Sequence, residues 1–254
     1  MSWTTNLFLR LSPLILPYLV LFCGGVFLTV CQSIGVLTPL PQDGGALDAY
    51  AGLLTDRSFF ASFAFSLGVA AVSALFAVAI GTFLAYRVWQ LPGRLATAAL
   101  VYKIPLILPH IAVAFVVLVF WSQSGILAST AHSLGLIQSM NEFPNVLYSG
   151  WGIGMILAYT LKGTPFAMLL VLALLVRFDV RQIQTAAMLG ASGLRIFSSI
   201  VLPRLAPAIH TGFIILFLYG FGAFDIPYLL SESRPGMLSI HVYNLYFKHD
   251  LARR

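Results

Sequence analysis

Lys162 and Asp225 are charged residues set inside long apolar runs, LAYTLKGTPFAMLL and GFGAFDIPYLL. A charge in such a setting is expensive and marks a functional site by default. Lys162 lies about 16 Å into its run by helical rise and is followed by Gly163, Thr164 and Pro165. Two roles fit it: a place on the path of a solute, or donation to backbone carbonyls freed at the proline break. Asp225 has Phe221, Phe224 and Tyr228 as sequence neighbours. With Tyr228 it would suit a cationic solute met by aromatic faces, or it ends a helix near water, where aromatics gather anyway. His110 and His210 have no partner at ligand spacing, and His241 and His249 in the tail fare no better, so no metal centre is expected. The phosphate-cradling pattern Gly-x4-Gly-Lys-Ser/Thr is missing, so the chain is not expected to bind ATP itself. Neither zinc-protease nor serine-hydrolase patterns occur, nor do paired carboxylates within the apolar runs. No catalytic residue, enzyme activity or cofactor is expected.

The connector 177–206, RFDVRQIQTAAMLGASGLRIFSSIVLPRLA, is long for a loop between apolar runs. Ile183, Ala186, Ala187 and Gly190 recur at helical spacing, and Gly190 and Gly193 permit a turn. A second short run follows from Leu194 to Leu202. Pro203 and Pro207 suit the first turn of the next helix, where a missing N–H costs nothing. The spacing predicts two short helices about a glycine elbow. Such a unit buries little by itself. It either docks in a groove of another protein or lies on the membrane as an amphipathic connector.

The elements that must position these residues follow from composition. Hydrophobic residues make up 59% of the 254 and charged residues 9%, against about a quarter charged in a soluble domain. A water-facing globular surface is excluded, and so is disorder, since there is ample apolar surface to bury. The mean hydropathy is +0.94. Long unbroken apolar runs rather than short alternating segments exclude a β-barrel and point to an all-α polytopic transmembrane bundle. Five runs reach the roughly 20 residues a crossing needs: roughly 12–31, 61–86, 98–121 (broken by Pro105 and Pro109), 151–176 and 207–230. The first has a positive residue ahead of it, as a signal peptide does, but it is too long and lacks a small-residue cleavage site. Cys23 and Cys31 lie eight apart in that first run, too far along one helix for a mutual disulfide.

The net charge of +6 is read as topology rather than as a nucleic-acid surface. The connector 87–97 carries Arg87 and Arg94, and 177–206 carries Arg177, Arg181, Arg195 and Arg204 against Asp179. The connector 122–150 has Glu142 and no Lys or Arg, while 32–60 carries Asp43, Asp48 and Asp56 against Arg57. The basic connectors are therefore expected on the cytoplasmic side, with the N-terminus. Five crossings then leave the tail outside with Arg234, Lys248, Arg253 and Arg254. That misfit predicts a truncated chain with a sixth crossing beyond residue 254; the alternative is a five-span protein with a basic tail.

Gln184-Thr185-Ala186, three residues, Gly190, nine residues, Ile200, one residue and Leu202-Pro203 together resemble the EAA signature of ABC-transporter permeases. Ala191-Ser192 after the glycine is also typical of that family. The resemblance covers roughly residues 59–245. It implies the membrane-helical core of a type I importer, with an ATPase-coupling element at Gln184, Ala186, Ala187, Gly190, Ala191, Ile200, Leu202 and Pro203 seated in a cleft of a cytoplasmic ATPase subunit. It implies as partners two such ATPase subunits, a second permease subunit (identical or sister) and an extracytoplasmic solute-binding protein, besides membrane lipid, with no nucleic acid. It further implies a bacterial inner membrane and at least one more span after this point. Two positions depart from the pattern: Gln184 replaces glutamate and loses its charge, and Thr185 replaces alanine. The stretch from Gly222 to Leu230, with Met237-Leu238-Ser239, looks like the matching region of spermidine/putrescine-type permeases, which makes a polyamine-like cation the expected cargo. Permeases for ferric iron or thiamine share parts of it.

The expected organisation is an N-terminal end with the first helix and outer loop over 1–58, a permease core over 59–245 and a C-terminal end over 246–254. The alternative is a secondary transporter driven by an ion gradient, which would show internal repeats or discontinuous spans with paired ion ligands. Neither is clear in the chain. An intramembrane enzyme would need convergent polar groups in the spans, and Lys162 alone is too little.

Overall fold

The computed structural model describes residues 2–36, 47–92, 102, 104–231 and 235–248. Arg94, Arg234, Arg253, Arg254, Asp43 and the expected start of the third crossing at 98 lie outside the described residues. Two compact units emerge, one within residues 1–57 and the other within 58–249.

In the first unit, α1 (Ser2–Tyr18) passes through a π-helical turn, Leu19–Cys23, into α2 (Gly24–Ser33). Pro13 and Pro17 lie within α1, and a wider turn next to a proline absorbs the backbone bond that proline cannot make. A short helix, α3 (Asp48–Thr55), follows, tied to α2 by the 2.6 Å hydrogen bond between the Ser33 and Tyr50 hydroxyls.

The second unit begins with α4 (Arg57–Trp89). Its buried positions include Ser66, Ala70, Ser73, Ala74, Ala77, Gly81 and Ala85, small residues repeating at three and four, while Leu75, Phe76 and Phe83 point outward and are exposed. Small residues inside and large apolar ones outside is the pattern of a helix packed in lipid. Then come α5 (Ile104–Ile107), α6 (His110–Trp121), α7 (Ile126–Ser133), α8 (Ile153–Leu175), α9 (Val180–Met188), α10 (Gly193–Ile196), α11 (Leu202–Gly222), α12 (Asp225–Leu230) and α13 (Leu238–Lys248). Among the described residues five helical stretches are long and apolar enough to cross a membrane: Arg10–Ser33, Arg57–Trp89, His110–Ser133, Ile153–Leu175 and Gly193–Gly222.

Two of the expected boundaries shift. The third crossing starts at His110 rather than 98; its helix ends at Trp121, where expected, and a separate helix, α7, carries the apolar stretch on to Ser133. Pro109, extended at ψ 151°, is the N-cap of α6; a proline disfavours the helical conformation of the residue before it, so α5 is cut off as a separate turn. The fifth crossing starts at Gly193 rather than 207. A π-helical turn, Phe197–Val201, joins α10 to α11, and Leu202 donates its N–H to Phe197 O. This shift of register comes just before Pro203, so the chain stays helical through a proline pair that would otherwise break it. Pro207 accordingly lies inside α11 rather than at its first turn.

α4 and α8 pack backbone to backbone. A Cβ on Gly81 would lie 2.8 Å from both Ala167 Cβ and Thr164 O, and one on Gly163 would lie 2.9 Å from Ala77 Cβ. The backbones meet there, as small residues allow. Gly81→Val is expected to force these helices apart at a cost of about 1–3 kcal/mol. A lowered thermal midpoint of the detergent-purified protein is the readout; an unchanged midpoint would mean that α4 and α8 do not meet at Gly81.

Candidate functional site

One end of the second unit carries the elbow. The Asp179 carboxylate caps α9 by accepting the Arg181 N–H at 3.0 Å. At the other end of α9, Gly190 N–H donates to Ala187 O and Ala191 N–H to Ala186 O, both at 3.0 Å, with Gly190 at φ +82°. This pair of bonds is a Schellman closure. It accounts for Ala186, Gly190 and Ala191 as a set: two of them supply the crossing bond and the glycine supplies the left-handed turn. Ser192 then caps α10, its Oγ accepting the Arg195 N–H at 3.4 Å. Thr185, the departure from alanine, spends its hydroxyl on Arg181 O within its own helix at 2.9 Å.

The predicted coupling residues divide between two faces. Ala186, Ala191 and Ile200 are half-buried against the core formed by Leu175, Ile196, Val201 and Leu205. Gln184, Ala187, Gly190, Leu202 and Pro203 are exposed. Met188, Leu189 and Leu194 are also exposed, at 80%, 83% and 79%. Sequence reasoning passed over these three. Their signal was two large apolar residues directly before a glycine elbow and a third just after it.

An aromatic string braces the elbow against α4. The Phe197 ring lies tilted at 4.8 Å from Tyr86, Tyr86 tilted at 6.2 Å from Trp89, and Trp89 edge-on at 6.1 Å from Phe178, over which the Arg204 guanidinium lies at 5.5 Å. The C-terminal end of α4, with Arg87, is thereby placed at the same end of the bundle as the elbow, whose flanking segments carry Arg177, Arg181, Arg195 and Arg204.

Deeper in the bundle, Lys162 on α8 donates to Pro105 O at 2.8 Å, to Leu106 O at 3.0 Å and to Leu108 O. The expected acceptors were carbonyls at its own Pro165. The structure instead presents carbonyls of the broken third crossing, which has two prolines and a single-turn helix and therefore more unsatisfied carbonyls. All three ammonium N–H groups are used. Lys162 also lines a chamber of about 210 Å³ between α4, α5–α6, α8 and α11, together with Ser73, His110, Tyr159, Phe166 and Tyr219. The His110 ring lies 4.8 Å from that of Tyr219, and Tyr159 packs edge-on to Tyr219 at 6.3 Å.

Asp225 and Tyr228 are at the opposite end from the elbow. Asp225 is the first residue of α12 and is exposed, a placement a helix N-terminus favours for any carboxylate. Tyr228 is exposed and packs with Phe224 at 5.3 Å and with Tyr243 of α13 at 6.5 Å. Phe221 turns away to Phe63 and Phe217. Tyr243 joins the cluster from a helix that sequence reasoning did not connect to it. Asp225 and Lys162 are not brought into one ion pair. Among the described residues no group of three or more His, Cys, Asp or Glu could hold a metal ion.

Residues 77–247 match the family described as "Binding-protein-dependent transport system inner membrane component". The chain is 26% identical over 186 residues to the molybdenum transport system permease protein ModB of Escherichia coli strain K12, covering 72% of this chain and 76% of that protein. It is 29% identical over 253 residues to the thiamine transport system permease protein ThiP of the same strain, covering 96% of this chain and 45% of ThiP. Among solved structures it resembles a bacterial ABC transporter involved in the import of the acidic polysaccharide alginate, with a TM-score of 0.75 at 18% identity, over 98% of this chain and 86% of that one.

Proposed function

The chain belongs to the family of binding-protein-dependent transport system inner membrane components, and from that premise we propose how its parts divide the work. It is a multi-pass membrane permease subunit of an ABC importer. It is not an enzyme: ATP hydrolysis resides on a partner chain, and a binding protein delivers the solute. The element that receives the ATPase is the elbow of α9, Gly190 and α10. One observation carries this assignment: Met188, Leu189 and Leu194 stand exposed on a turn closed by its own backbone, at the end of the bundle where the arginines gather. An apolar knob on a rigid turn is a surface that a partner's groove can bury, and Ala186, Ala191 and Ile200 seat its inner face on the bundle.

The arginine-rich end faces the cytoplasm under the orientation rule, and the N-terminus with it. A single cysteine placed at Ala187 is expected to react with a membrane-impermeant thiol reagent only in inside-out vesicles. Labelling from the outside would overturn the assignment.

The exposed apolar side chains also set the test of docking. Fully burying a Leu or Met side chain is worth about 1.5–3 kcal/mol, so Met188→Asp with Leu189→Asp is expected to reduce recovery of the ATPase subunit with the permease at least tenfold. Neither side chain takes part in the bundle core, so expression and thermal midpoint are expected to hold. Undiminished recovery would remove the docking assignment.

As to cargo, the cation reading rests on Asp225 and Tyr228. Asp225 stands where a helix start alone would favour it, and the second aromatic face beside Tyr228 comes from Tyr243. The two named relatives carry molybdenum and thiamine systems and do not favour a polyamine.

A further inference from the structure

We propose that the chamber beside Lys162 is a binding site for a small inorganic oxyanion. The proposal rests on the reading of the chain as a permease and gives a ligand class to one part of it. Lys162 is satisfied as a hydrogen-bond donor by Pro105, Leu106 and Leu108, but hydrogen bonds to carbonyls leave its charge in place. Among the described residues no carboxylate lies within ion-pair reach of it, and the residues lining the chamber include no acid. An uncompensated charge within the apolar part of a membrane is costly, and an anion in the chamber would compensate it.

The walls agree with that sign. Tyr159 and Tyr219 bring phenol hydroxyls and His110 brings a ring nitrogen, all able to donate. The Tyr159 hydroxyl is buried with no hydrogen-bond partner among the described residues, on a side chain only 5% exposed. Buried hydroxyls are nearly always bonded, so this one lacks an acceptor that a ligand or a bound water can provide. The carbonyls that would otherwise attract a cation are occupied by Lys162. Ser73 donates to Val69 O and Ala70 O and offers the chamber only lone pairs. Asp225 is exposed at the start of α12 and does not line the chamber, although its carboxylate lies near enough to act electrostatically on His110, Tyr159 and Tyr219, so the anion's place is on the Lys162 side. The volume, about 210 Å³, is smaller than the roughly 300 Å³ at which sites for drug-sized ligands begin. It equals the liquid volume of about seven waters, which admits a tetrahedral oxyanion with some hydration.

Equilibrium dialysis of the detergent-purified full chain against molybdate, sulfate and phosphate, with spermidine and thiamine as cationic controls, tests this. At least one oxyanion is expected to bind saturably, about one per chain. Tyr159→Phe and Tyr219→Phe, which leave the Lys162 brace untouched, should each weaken binding about tenfold at unchanged thermal midpoint. No binding of any of the three oxyanions, binding of spermidine or thiamine instead, or binding indifferent to Tyr159→Phe would overturn the proposal. Uptake of the bound oxyanion into vesicles then separates two sources of it. Slowed uptake in Tyr159→Phe identifies a cargo anion, and absence of uptake identifies a resident one. Dialysis does not require the ATPase, so its outcome is independent of whether the elbow assignment holds.

Discussion

Gly190→Val is expected to abolish most transport while leaving a folded, membrane-inserted protein. At φ +82° the backbone is in the left-handed region, which costs an L residue about 1–2 kcal/mol, with more for a β-branched side chain. No heavy atom lies within 4 Å of a Cβ built on Gly190, so the penalty is conformational rather than steric. It falls on the two bonds that close α9, Gly190 N–H to Ala187 O and Ala191 N–H to Ala186 O. A shift of about 2 kcal/mol changes the ratio of closed to open elbows about thirtyfold. Uptake in a reconstituted complex is therefore expected to fall at least tenfold, and ATP hydrolysis to lose its response to the loaded binding protein. Gly190→Asn should retain much more activity, because asparagine tolerates the left-handed turn. That ordering, valine far worse than asparagine at equal thermal midpoints, marks a requirement of the turn. Equal loss in both would mean that a partner surface touches the glycine itself, and wild-type uptake in the valine variant would end the assignment.

Lys162→Met is expected to have the largest effect on stability. It leaves Pro105 O, Leu106 O and Leu108 O without their donor. Buried unsatisfied groups cost about 1–3 kcal/mol each. Removing an intramembrane charge returns about 2.5–3.5 kcal/mol, so the net loss is about 3 kcal/mol. The thermal midpoint in detergent should drop by several degrees and the yield of monodisperse protein with it. Lys162→Arg keeps the charge and a supply of donors but presents them as a planar fork, and should fall between wild type and methionine. If methionine leaves the midpoint unchanged while uptake is lost, the lysine serves the solute rather than the break in the third crossing.

How far the molecule could be read beforehand varied with the range of the interactions involved. Apolar runs and loop charges are local, and the first, second and fourth crossings stand within a few residues of where they were expected. The elbow was also local: helical spacing up to Gly190, then a residue type suited to a left-handed turn. The shifted starts at His110 and Gly193 depend on how the backbone answers a proline, by stopping before Pro109 and by widening a turn before Pro203. Residue type alone does not choose between these answers. Lys162 was legible as a misplaced charge, but its acceptors lie more than fifty residues earlier, in a segment whose break had been assigned to the interior of a crossing. Met188 and Leu189 look like two more core residues in sequence, and only the closed turn reveals that they project.

The bonds of Lys162 have a kinematic consequence. They rivet the broken third crossing to α8, and the backbone contact at Gly81 and Gly163 clamps α8 to α4. The remaining crossing of this unit, Gly193–Gly222, is continuous with the elbow and packs on the same group of helices: a Cβ on Gly220 would lie 3.6 Å from Ala70 Cα, and Leu216 and Tyr219 meet Gly163 and Tyr159. The column that leads from the elbow is therefore seated directly on that group, and spectroscopic probes of gating are best paired between α11 and α8.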